Sequence, residues 1–228
     1  MIGPPLIGDN WVAFNGLSSQ SLNAHSMTPI PIGGRINGAE RFAIDFIRID
    51  PKAPKGTEPI QGSYSGDLSR NTSYHAFDQP LIAVANAKVV TVVSDRPDGT
   101  PNSAIQLELP TDQLPGNEII LDLGHGIYAL YAHLKQGSAE VKVGETVKKG
   151  QEIGRLGNSG SSTEAHLHFQ LQAGPLPLTS DNVPWVIDTF TAAGTLGPGG
   201  VVKTPTPGPR TAELPVGDSI SNFAALSR

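Results

Sequence analysis

The run His166-Leu167-His168-Phe169-Gln170-Leu171-Gln172 alternates polar and apolar residues without a break. A strand sends successive side chains to opposite faces, so Leu167 and Phe169 turn toward a core while His166 and His168 share the other face. Two imidazoles side by side on one strand suit metal ligation, or a ligand paired with a base. The blander reading is two surface or hydrogen-bonded histidines.

Segments of the same kind recur outward from this run. Phe42 to Ile49 reads as a strand closed by Asp50-Pro51, and Leu81 to Val93 as two strands, or one bent strand, interrupted at Asn86-Ala87. Glu118 to Leu123 and Ile127 to Leu134 flank Gly124-His125-Gly126, a hairpin signal. Glu140 to Val143 and Glu152 to Leu156 are expected as short strands bracketing Gly144 and Gly150. No stretch sustains a period of 3.6 residues. The fold class is therefore mainly β, an antiparallel coiled sheet or β-sandwich with few helices. Pro51 to Asn71 is polar and turn-rich, an insertion over the surface or one wall of a groove.

Composition narrows the chemistry. The 228 residues include 26 Gly and 20 Pro, which argues against a helical bundle, and a hydrophobic fraction of 38%, sufficient for a packed core. There is no Cys, hence no disulfide, thiolate nucleophile or Cys-ligated zinc, and any metal must sit on His and carboxylates. A net charge of -5 and the lack of a basic cluster make nucleic acid an unsuitable partner. No window of 18 uninterrupted apolar residues exists, so no membrane span is expected. The start, MIGPPLIGDNW, does not read as a signal peptide, leaving a cytoplasmic chain or a mature form whose targeting segment has been removed. Gly197 to Arg210 has linker character, and the residues after it are expected to form a surface tail with a short terminal turn or helix.

Two more residues stand out. Asp45 lies within an otherwise apolar strand, where a lone carboxylate needs a cation, a metal or donors. His133, in Tyr131-Ala132-His133-Leu134, is flanked by apolar residues and by itself reads as a core or rim histidine.

Taken together, Tyr131-Ala132-His133-Leu134, Val141-Lys142-Val143-Gly144, Val147-Lys148-Lys149-Gly150-Gln151, Ile153-Gly154, Gly157-Asn158-Ser159-Gly160 and His166-Leu167-His168-Phe169 resemble the M23 metallopeptidases. These are the lysostaphin- and LytM-like zinc endopeptidases of bacterial cell walls. The likeness extends upstream through Phe42-Ala43-Ile44-Asp45-Phe46 and Pro80-Leu81-Ile82-Ala83. It implies an M23-type fold over residues 38–192, with 1–37 as an N-terminal extension packing on the core and 193–228 as a Pro/Gly-rich C-terminal tail. It also implies Zn²⁺ as cofactor, with Asp45 and His168 as ligands and His133 and His166 as catalytic histidines that handle the water proton and the oxyanion. The implied substrates are peptides of peptidoglycan, and the implied location is extracytoplasmic, on the assumption of a removed export signal.

The sequence departs from the family pattern at Arg41, which stands where the HxxxD motif carries its first histidine ligand. A guanidinium has no lone pair for a metal, and on a strand Arg41 could reach Asp45 directly. Three readings follow: His25 replaces the missing ligand; the domain is catalytically degenerate and acts as a cell-wall binding or regulatory module; or a two-ligand site is completed by water or substrate. His75 and His125 are expected to be structural. The segment from Val143 to Gly154 also resembles the hammerhead strands of biotinyl and lipoyl carriers, whose cofactor would sit on Lys148 or Lys149.

Overall fold

The computed structural model describes all residues except 18–23, 27–29, 33–34, 54–59, 61, 107, 198–199, 203–206 and 225–228. Its strands, in chain order, are β1 (Gly8–Phe14), β2 (Ile30–Ile32), β3 (Arg35–Asn37), β4 (Ile44–Arg48), β5 (Pro80–Ile82), β6 (Ala87–Val93), β7 (Asn117–Asp122), β8 (Tyr128–Leu134), β9 (Thr146–Val147), β10 (Glu152–Arg155), β11 (Leu167–Gln172), β12 (Ile187–Gly197), β13 (Gly200–Val202), β14 (Gly208–Glu213) and β15 (Ser219–Phe223). One short 3₁₀ turn at Asn71–Ser73 is the sole helical element among the described residues. The chain is almost entirely antiparallel β.

Eleven strands form one sheet in the order β13-β12-β15-β1-β4-β11-β8-β7-β6-β9, with β14 also on β12; β10 pairs β5, and β2 pairs β3. The period-2 pattern decides which face each residue takes. Leu167, Phe169 and Leu171 of β11 join Ile44 and Phe46 of β4, Ala129 and Tyr131 of β8, and Ile119 and Leu121 of β7 in the main core. Phe169 lies edge-on to Tyr131 and to Trp185, each with ring centroids 5.1 Å away, contacts that contribute about 0.5–1.5 kcal/mol per pair beyond area burial. The Tyr131 hydroxyl is satisfied inside the core, donating to the Ile82 carbonyl and accepting from the Val84 N–H, both at 3.0 Å. These contacts hold β11 and β8, the strands that carry His168 and His133, in fixed register.

Two expectations about elements are corrected. Glu140 to Val143 is not a strand: the Glu145 carboxylate takes the Lys142 N–H at 3.0 Å and Gly144 turns the chain at φ 93°. The ladder is made instead by β9, which pairs with Ala87 and Lys88. The C-terminal residues are not a surface tail with a terminal helix. β15 lies inside the large sheet between β12 and β1, burying Ile220, Ser221 and Phe223. Residues 198–199, 203–206 and 225–228 of that stretch fall outside the described residues.

Candidate metal centre

Sheet register brings the first two site residues together. Asp45 of β4 pairs directly with His168 of β11, and His168 in turn with Ala132 of β8. The His168 Nδ1 lies 3.1 Å from Asp45 Oδ1. His166, immediately before β11, reaches the same oxygen with its Nε2 at 3.6 Å.

His133 arrives by breaking the strand period. Strict alternation would place it with Ala129 and Tyr131 on the core face, but it adopts φ 62°, and the β7–β8 ladder shifts register between Asn117 and Ile119. Left-handed backbone at a non-glycine residue is uncommon and needs support from its surroundings. Here the His133 N–H donates to the Pro115 carbonyl at 2.8 Å, and its carbonyl accepts from Gly157 at 3.0 Å. The ring then sits 4.7 Å from that of His166, centroid to centroid. Gly116 (φ 66°) and Gly160 (φ 74°) pack backbone to backbone beneath this segment; a Cβ on Gly116 would stand 2.4 Å from the Ser159 carbonyl carbon.

His25 completes the group from a turn at residues 24–26, with Nε2 3.2 Å from Asp45 Oδ2 and its ring edge-on to His168 at 4.9 Å. Arg41 does not approach Asp45. It lies in an exposed turn rather than on β4, with its guanidinium over the Phe42 ring at 5.6 Å. The turn is closed by Arg41 N–H on the Gly38 carbonyl and clamped by Asn182, whose side chain bonds Phe42 N–H and the Ala39 carbonyl. The strand geometry that would have aligned residues 41 and 45 therefore does not extend back to Arg41.

Hydrogen bonding sets which nitrogen of three of these rings faces inward. A backbone carbonyl only accepts, so the ring nitrogen against it carries the proton. His133 Nδ1 donates to Ser159 O at 2.8 Å, His166 Nδ1 to Glu164 O at 2.8 Å, and His25 Nδ1 to Ala43 O at 3.4 Å. Each leaves Nε2 as the nitrogen free to act on the site.

Electrostatics separates their roles. Burial alone would lower the pKa of His25, but the Asp45 carboxylate, by charge and hydrogen bond, raises it to about 9. Burial would raise Asp45; attraction to His25, with the hydrogen bonds from His168 and His25, holds it well below the carboxylate range. Burial, and then the neighbouring imidazoles His166 and His168, push His133 well down. His166 is lowered by burial against the opposing pull of Asp45. His133 and His166 are thus neutral imidazoles able to accept a proton, in a wall of a cavity of about 290 Å³ that His25, Asp45 and His168 also line.

One ligand atom from each of His25, Asp45 and His168 falls within 4.8 Å of the others. Zinc at about 2.0–2.1 Å from nitrogen and oxygen donors holds neighbouring ligand atoms roughly 3.3 Å apart, close to the contacts that Asp45 makes here. Two imidazoles and one carboxylate, all buried, fit such an ion, and three protein ligands would leave it an open coordination position.

Residues that sequence reading missed include Asn15, whose amide donates to Asp45 Oδ2 at 2.8 Å; its only signal was the turn dipeptide Asn15-Gly16. Glu164 and Ser159 act through their carbonyls, which no side-chain pattern reveals. His75 bonds Ser65 and His125 occupies an exposed turn, both away from the cluster. Lys149, a carrier-type attachment candidate, is ion-paired with Asp188.

The sheet and the turns beside it thus present one carboxylate and four histidines to one cavity. Residues 72–179 match the model for Peptidase family M23. The matched stretch contains His133, His166 and His168; His25 and Asp45 precede it. Lysostaphin of Staphylococcus simulans is 38% identical over 93 residues, 40% of this chain and 18% of the relative. Peptidoglycan DD-endopeptidase ShyC of Vibrio cholerae is 35% identical over 135 residues, 57% of this chain and 26% of the relative. The chain thus spans about a quarter or less of the length of these curated relatives. Among solved structures, the catalytic domain of lysostaphin from Staphylococcus simulans aligns over 75% of this chain and 84% of that one, with 21% identity and a TM-score of 0.38.

Proposed function

We propose that this protein is a zinc metalloendopeptidase that cleaves peptide bonds in bacterial peptidoglycan, outside the cytoplasmic membrane, with His25, Asp45 and His168 as the metal ligands. The observation that carries this reading is the meeting of His25 and His168 on the two oxygens of one buried carboxylate, 3.2 and 3.1 Å away. It supports replacement of the missing ligand by His25 over a degenerate or two-ligand site. Zinc bound there supplies Lewis-acid polarisation of the scissile carbonyl and acidification of water.

The chain's own groups do the rest. His166 and His133 present neutral Nε2 lone pairs on one side of the ligand group, so either can take a proton from the attacking water and return it to the leaving amine. The histidine that takes this proton becomes an imidazolium, whose Nε2–H can donate a hydrogen bond to the developing oxyanion before the proton passes to the leaving amine. The Glu164 and Ser159 carbonyls keep both rings from rotating away from that task. The apolar walls of the cavity, including Ile47, Leu130 and Leu178, limit water around the reacting groups.

Digestion of purified peptidoglycan with zinc-loaded protein, followed by mass spectrometry of the soluble fragments, tests the reading. New peptide ends that disappear on His166→Ala substitution are expected. A protein that binds no zinc at neutral pH and releases no fragments would instead be a degenerate wall-binding module.

A further inference from the structure

Gln170 and Gln172 follow His168 at every second position of β11, share its face of the sheet and are fully buried. Their side chains form a chain of hydrogen bonds along the strand. His168 Nε2 lies 3.1 Å from Gln170 Oε1, Gln170 Nε2 donates to Gln172 Oε1 at 2.8 Å, and Gln172 Nε2 donates to the Gly174 carbonyl at 2.8 Å. The last member decides the direction of the whole. A carbonyl oxygen only accepts, so Gln172 must turn its NH₂ to Gly174 and its oxygen to Gln170. Gln170 must then turn its own NH₂ to Gln172, which leaves its oxygen facing His168. An oxygen in that position demands a proton on His168 Nε2.

We infer that Gln170 and Gln172 are positioning residues that keep a proton on His168 Nε2, so that Nδ1, which faces Asp45, is the nitrogen that gives up its own proton to a metal. This assignment rests on the proposed metal site for its purpose, but the proton position stands on the hydrogen-bond chain alone. It sets His168 apart from His25, His133 and His166, whose backbone carbonyl partners hold the proton on Nδ1. The strand explains the difference. A ring within a ladder has its neighbouring carbonyls committed to pairing, so the acceptor must come from side chains on the same face. A partner amide would be free to flip; a second amide anchored on a free carbonyl prevents it. Outer partners of this type typically change metal affinity by about 10–100-fold when removed.

The test is a long-range ¹H–¹⁵N correlation spectrum of the metal-free full chain, with zinc affinity measured separately by chelator competition. His168 Nε2 is expected to read as a protonated nitrogen; an unprotonated, pyridine-type Nε2 in the wild type overturns the inference. Gln172→Leu frees Gln170 to flip, and is expected to admit the other tautomer and weaken zinc binding about tenfold. Adding Gln170→Glu to that variant supplies an acceptor that cannot flip, and should restore both the Nε2 proton and the affinity. If the folded Gln172→Leu protein keeps Nε2 protonated and binds zinc within twofold of wild type, the inference fails. A wild type with the expected Nε2 proton that binds no zinc would sink the metal reading and leave the hydrogen-bond chain intact.

Discussion

His25 Nε2 stands 3.2 Å from Asp45 Oδ2, across a turn and a hairpin that separate them in the chain, while Arg41, four residues before Asp45, faces solvent. The two facts have one origin. The turn at residues 39–42, pinned by Asn182, ends β4 at Ile44 and carries Arg41 away from the sheet face on which Asp45 projects. The space beside the carboxylate is filled by a residue from an earlier turn.

Substitution at these two positions should therefore have opposite consequences for metal binding. His25→Ala is expected to lower zinc affinity at least 100-fold in chelator competition, since it removes one of three proposed ligands. Arg41→His is expected to leave that affinity within twofold and stability within about 0.5 kcal/mol, as for other exposed sites. Zinc held equally well by His25→Ala would remove His25 from the ligand set.

The same pair predicts how the metal-free protein responds to pH. His25 gains its proton more readily when folded, its pKa moving from 6.5 to about 9, so its contribution is complete below 6.5 and is lost as pH rises through 9. Asp45 is shifted the other way, so its contribution is present above 3.8 and is lost as pH falls through its lower folded value. Because both shifts describe one interaction, about 3 kcal/mol is at stake, counted once. Chelator-treated protein should thus unfold at a lower denaturant concentration at pH 10 than at pH 6.5, and His25→Ala should flatten that limb. An unchanged slope in the variant would show that His25 and Asp45 are not coupled.

How far the site could be read in advance depended on what each residue uses to get there. Asp45, His166 and His168 sit on or beside strands whose alternation is visible in the sequence, and the structure brings them together as the period implies. His133 was legible only through family likeness, because the register shift and φ of 62° that redirect it are set by Pro115, Gly116 and Gly157. His25 was weighed and left open, since a histidine in a turn carries no periodic signal. The strands β4 to β8, β10 and β11 were legible from apolar runs between glycines, whereas β1 to β3 and β9 were not. Nor was β15: Ser219-Ile220-Ser221-Asn222-Phe223 is short, half polar and preceded by a Pro/Gly segment, and its place in the sheet comes from β12 and from β1, roughly two hundred residues away in the chain.

That placement is itself testable. Phe223 is buried with its ring edge-on to Phe46 at 5.8 Å and near Phe190 at 6.3 Å, so it ties the C-terminal strand to the strand that carries Asp45. Phe223→Ala should cost about 3–5 kcal/mol through lost burial and a cavity. For a chain of this size the expected fall in Tm is roughly 10 °C by calorimetry. A change under 2 °C would mean that the C-terminal strand contributes nothing to the folded sheet.

Glu118 of β7 offers a pH test remote from the metal ligands. Burial raises its pKa to about 7 despite attraction from Arg96, aided by repulsion from Asp112, and its Oε2 has no hydrogen-bond partner. In the unfolded chain the carboxyl ionises near 4.5, whereas in the folded protein it keeps its proton to about 7. The folded state therefore binds more protons across this interval, and stability falls as pH rises through it. Glu118→Gln removes the penalty while keeping the shape. The variant should match wild type within about 0.5 kcal/mol at pH 4, and exceed it by about 1–3 kcal/mol at pH 8, where the wild-type carboxylate is charged and desolvated. Denaturant unfolding at the two pH values measures the difference. A stability gap that does not widen between pH 4 and pH 8 would mean that the Glu118 carboxylate is hydrated in solution and bears no such penalty.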